Sequence, residues 1–137
     1  MSDTPEISLI AVRNALTRIS RRGAEIYWIL ETADILLDLP IVRQRVSDPK
    51  ASDEELAAAV IDVINEKVAQ LRGPHRQILT VCLALDPEFQ GLSAEKRQTI
   101  AGQRFRGGKR PVTWGTMRRI HLPRAILRLA TLLHAGG

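Results

Sequence analysis

Apolar residues recur every three or four positions along most of this chain and nowhere alternate with polar ones in the period-two rhythm of a strand, which predicts helices throughout. The first predicted helix begins at Thr4, a capping residue, with Pro5 at the first helical position and Glu6 complementing the dipole. Ile7, Ile10, Ala11, Leu16 and Ile19 supply its apolar stripe, and Gly23 either ends or weakens it. Residues 23–39, GAEIYWILETADILLDL, read as a second helix with Ile26, Leu30, Ala33 and Leu37 on one face and Trp28, Ile29 and Leu36 widening it. Leu39-Pro40 stops that helix, because the residue before proline avoids helical geometry. The following IVRQRVSDPKAS reads as a connector with one helical turn.

Ser52 and Glu55 form an S-x-x-E capping box, with Leu56, Val60, Val63, Ile64 and Val68 behind it at helical spacing. Arg72-Gly73-Pro74 is a break, and Pro74 opens a helix through HRQILTVCLAL to Asp86-Pro87. Ser93 caps AEKRQTIAG, a glycine-rich stretch covers 102–111, and Thr113 caps WGTMRRIHL. Pro123 reads as the first residue of a last helix, in which Leu122, Ile126, Leu129, Ala130 and Leu133 share a face. The expected fold class is all-α, a compact bundle of six or seven helices, with units 1–71 and 72–137 divided near the Arg72-Gly73-Pro74 break.

Charge separates those units. Residues 1–71 carry eight Lys or Arg against twelve Asp or Glu, and residues 72–137 carry twelve against three. An acidic half beside a basic half implies an anionic partner for one end or mutual attraction of the two. Arginine dominates the basic half and suits bidentate contact with phosphate or carboxylate; it is also the ordinary cation of GC-rich bacterial genomes. No apolar run approaches the roughly 20 residues of a membrane span, and MSDTPEIS lacks the basic and apolar regions of a secretory signal. A cytoplasmic location and no membrane partner are expected. Cys82 is the only cysteine, and its apolar setting, ILTVCLAL, marks it as a buried thiol rather than a nucleophile.

Catalytic and metal chemistry find little support. His75, His121 and His134 lie far apart in the chain, and one cysteine is too few for the usual zinc patterns. There is no G-x-S-x-G, P-loop or G-x-G-x-x-G motif. Asp34 and Asp38, four residues apart, would share a helix face, where they could hold a cation or simply face water. The reading is therefore no enzyme, no cofactor, no metal and no small-molecule substrate.

The stretch FRGGKRPVTWGTMRR, 105–119, carries the most information. Arg104, Arg106, Lys109 and Arg110 surround a glycine pair, and a glycine turn with several cations can hold phosphates without reading bases. Thr113, Thr116, Met117, Arg118, Arg119 and Ile120 follow in the order cap, Thr, apolar, Arg-Arg, apolar. That order resembles the recognition-helix start of sigma-factor region 4 and related bacterial helix-turn-helix regulators, over residues 93–133. The resemblance implies that Thr116, Arg118 and Arg119 face DNA while Met117 and Ile120 pack inward. Here the connection from Gly102 to Val112 is eleven residues, against about three or four in a helix-turn-helix. In general texture the chain also resembles small helical regulatory or adaptor modules of actinobacterial proteins. Adjacent Tyr27 and Trp28 fit a partner surface or dimer seam, although Trp28 fits a core better. The leading expectation is a small bacterial DNA-binding regulator acting by occupancy; the alternative is a helical adaptor that docks an acidic protein.

Overall fold

The computed structural model describes residues 6–105 and 110–135. Every regular element among them is helical. Helix α1 (Leu9–Ile19) starts at Ser8, whose hydroxyl accepts from the Ala11 N–H at 3.1 Å. The start expected at Thr4 is therefore corrected: Thr4 and Pro5 lie outside the described residues, and residues 6–8 are not helical. Val12, Ala15, Leu16 and Ile19 form the buried stripe, and Ile10, which at roughly 100° per residue stands about 120–180° around the axis from them, faces outward, 61% exposed. Gly23 ends the helix. Its N–H bonds the Ile19 carbonyl at 2.7 Å, its φ is +102°, and a Cβ there would stand 2.8 Å from the Ala84 Cβ. Only glycine allows both that backbone and that approach.

The expected helix over 23–39 is two elements. Helix α2 (Ile26–Thr32) stops at Ala33, and a 3₁₀ helix runs Asp34–Asp38. The cause comes from α1: Arg18 Nε donates to the Thr32 carbonyl at 2.5 Å, while the Leu36 N–H turns to Ala33 instead, at 3.0 Å. With about three residues per turn, the 3₁₀ helix does not stack Asp34 on Asp38, and Asp38 pairs with Arg43 at 2.6 Å. Leu39 is extended, as its proline neighbour requires, and Pro40 opens α3 (Pro40–Arg45).

Helix α4 (Asp53–Gln70) is the longest element. The Glu55 N–H donates to Ser52 Oγ at 3.2 Å, and Leu56, Val60, Val63, Ile64 and Val68 are all buried. Helix α5 (Pro74–Cys82) stops short of Asp86-Pro87 because Ala84 takes a left-handed φ of 52° and the Leu85 N–H returns to the Thr80 carbonyl at 3.0 Å. A 3₁₀ turn, Pro87–Phe89, then drops Phe89 into the core. Ser93 caps α6 (Ala94–Gln103), accepting from the Lys96 N–H at 3.1 Å.

The final helix corrects the expected role of Pro123. Helix α7 (Trp114–Thr116), a π-helical turn (Met117–His121) and α8 (Leu122–Ala135) follow without a break, and Thr116, Met117 and Leu122 all have right-handed helical dihedrals. The Leu122 N–H bonds the Met117 carbonyl, five residues back. This wide turn directly precedes Pro123, which has no N–H to donate and whose ring crowds an ordinary turn, so the helix passes through the proline instead of starting there. Leu122, Ile126, Leu129, Ala130 and Leu133 form the expected buried face. That face packs against α1, α4 and α5, so residues on both sides of Arg72-Gly73-Pro74 share one core.

Candidate nucleic-acid interface

The caps and a close helix crossing position this site. Thr113 Oγ1 accepts from the Thr116 N–H at 3.2 Å and bonds the Thr116 hydroxyl at 3.1 Å, so both threonines are engaged in starting the helix. Gly102 sets where that start lies relative to α6. Its carbonyl accepts from the Val112 N–H at 3.1 Å, and a Cβ on it would stand 2.3 Å from the Val112 carbonyl oxygen. The chain leaving the turn therefore crosses directly over the last turn of α6. Met117 is fully buried beneath it, as expected. Ile120 is not: it is 41% exposed, because the π turn shifts the rotational phase of the residues before Pro123.

Arg104, Arg110, Arg118 and Arg119 are all exposed, and among the described residues none forms an ion pair with a carboxylate. Arg106 and Lys109 lie outside the described residues. The exposed arginines do not form one cluster. The Arg104 guanidinium lies over the Phe89 ring, 5.3 Å from its centroid, beside a depression it shares with Arg76 and Asp86. Arg118 lies 5.1 Å from the centroid of Trp114. Arg119 Nε turns back to the Gly115 carbonyl at 3.2 Å.

Arg118 borders a groove of about 830 Å³ between α1, the start of α6 and α7–α8. Arg13 of α1, Arg21 of the turn after it and Arg124 of α8 border it too, and Glu95 is the single carboxylate. Sequence reasoning missed Arg13 and Arg21 because they belong to the acidic half. Part of the signal was present in their spacing: with Thr17 they repeat at four residues, although α1 ends at Ile19, before Arg21.

One arginine of the basic half is not at the surface. Arg97 is fully buried and donates to the carbonyls of Cys82 at 3.2 Å, Ser20 at 2.6 Å and Leu92. Burial pulls its pKa down, yet three carbonyl oxygens, two of them at helix ends where the dipole favours a cation, hold the charge in place. Beside it, burial pushes the Cys82 thiol up to about 12.

His75 lies 3.4 Å from an Arg128 nitrogen, and His121 stacks on Phe105 at 4.3 Å. Burial lowers the pKa of both; Arg128, His121 and Arg124 lower His75 further, and Arg124 lowers His121. Tyr27 projects from α2, 69% exposed. Trp28 is half-buried, donating to the Arg18 carbonyl at 2.9 Å under the guanidinium of Arg22. Among the described residues no three His, Cys, Asp or Glu side chains gather as a metal site, and no helix is long and apolar enough to cross a membrane. Comparison with family models, curated proteins and solved structures finds no match for this chain.

Proposed function

We propose that this chain is a small bacterial cytoplasmic regulator that binds DNA through phosphate contacts and acts by occupancy. The observation that supports this reading is the set of exposed arginines around the α6–α7 crossing, none neutralised by a carboxylate among the described residues. Such charges attract a polyanion and release its counterions on contact. The chain between Gln103 and Trp114 is too long for a helix-turn-helix turn, and the arginines spread over more than one side of the crossing. That arrangement suits backbone contact with many sequences better than a fixed reading of bases.

The test is retention of a labelled generic duplex by the full chain between about 50 and 200 mM salt, where phosphate binding loses orders of magnitude in affinity. Changing Arg104, Arg110, Arg118 and Arg119 to glutamine should weaken all duplexes alike and flatten the salt slope by roughly one unit for each phosphate left without its cation. No retention at low salt would overturn the proposal. Retention unchanged by the four substitutions, with loss of a protein complex instead, would favour the adaptor.

A further inference from the structure

The groove between α1 and α7–α8 is apolar along its floor and cationic along both walls. Its floor is Leu122 and Ile126, and Trp114 and Leu127 stand at its edge 39% and 44% exposed. Arg13 and Arg21 form one wall and Arg118 and Arg124 the other, and no ion pair engages any of them among the described residues. Arg13 touches only its neighbour Asn14 through a side-chain hydrogen bond at 3.3 Å, and Arg118 lies on Trp114.

We propose that this groove docks an acidic amphipathic helix of a protein partner. Arg13 stands on α1, and Arg21 stands in the turn that follows its end at Ile19, so the two lie toward opposite ends of this wall. A bound helix with carboxylates on each flank meets both walls, and its apolar stripe covers Trp114 and Leu127. Charge complementarity decides the partner's sign, since four cations face a single Glu95. The apolar floor decides between a peptide and a nucleic-acid backbone, because phosphates alone would leave the exposed tryptophan and leucine uncovered. This docking is separate from phosphate binding: Arg13 and Arg21 lie on α1 and the turn after it, and only Arg118 serves in both.

The experiment uses the full chain with Trp28→Phe, which leaves Trp114 as the sole tryptophan reporter. The probe is a synthetic helix of about 18 residues, enough for five turns, with leucines at i, i+3 or i+4 and i+7 and glutamates on both flanks. Trp114 fluorescence should shift on titration, and a scrambled peptide of the same composition should bind at least tenfold more weakly. Arg13→Glu with Arg21→Glu should weaken binding roughly tenfold, and a lysine-flanked peptide should recover it. Both substituted positions are exposed, and circular dichroism checks that the variant is folded. Leu127→Ala, which leaves every charge in place, should weaken the acidic peptide as well. Equal binding of the scrambled peptide, no shift up to about 1 mM, a millimolar limit of specific affinity, or no effect of the Arg13 and Arg21 reversal overturns the proposal. Displacement of the peptide by generic duplex, with duplex binding equally dependent on Arg13 and Arg21, would overturn it too and make the groove a nucleic-acid site.

Discussion

The guanidinium of Arg97 donates to the carbonyl oxygen of Ser20 at 2.6 Å, joining two residues 77 positions apart in the chain. Its other bonds reach Cys82 and Leu92, so one side chain ties the ends of α1 and α5 to the start of α6. Arg97→Met fills similar space but leaves three carbonyls without donors. It should destabilise the fold by about 3 kcal/mol. Arg97→Lys, a compact charge without the planar fork, should recover less than half of that. Urea midpoints of the three proteins measure both.

The α6–α7 crossing depends on a missing side chain. Gly102→Ala puts a Cβ against the Val112 carbonyl, which is backbone and has little room to yield. The expected cost is about 1–3 kcal/mol, as in other overpacked sites. Amide exchange at Val112, whose N–H bonds Gly102, should speed up in the variant beyond what the loss of global stability explains. Unchanged protection at Val112 would mean that the crossing is not held there.

Cys82 ties stability to alkaline pH. Its folded pKa, pushed up to about 12, lies above the unfolded value of about 8.5. The neutral thiol is thus favoured by folding. Its contribution is fully present below the unfolded pKa and is lost as pH rises from there through the folded value, at up to about 1.4 kcal/mol per unit. Cys82→Ala should flatten the stability profile between pH 8 and 10, an interval spanning the ordinary thiol pKa of about 8.5. Native Cys82 should react slowly with a thiol reagent and quickly once the chain is unfolded; rapid native labelling would refute the burial.

Ser52 carries the cap of α4. Ser52→Ala removes the acceptor for the Glu55 N–H and should cost about 1 kcal/mol. Ser52→Asn or Ser52→Asp should restore most of it, since either side chain can take the same bond. Thermal midpoints across the series would reveal whether the hydroxyl or only the residue's size matters.

The sequence by itself determined whatever closes within one helical turn. The caps at Ser52, Ser93 and Thr113 each bond the N–H three residues on, so the residues that decide them are adjacent in the chain. The stop at Leu39-Pro40 is equally local, and the buried faces of α4 and α8 follow from period alone. The tertiary structure decided what depends on a distant partner. The break at Ala33 needs Arg18 from α1 to claim the Thr32 carbonyl. The outward turn of Ile120 depends on where the last helix widens, which shifts the phase of the residues before Pro123 about the axis. Charge counting places Arg97 with the cations of the basic half without saying where it sits, whereas the fold surrounds it with carbonyls from three segments. The same limit hid the groove. Arg13 and Arg21 were counted with an acidic half, and only the packing of α1 against α8 sets them opposite Arg118 and Arg124, because proximity across a core is made by long-range burial and not by neighbouring residues.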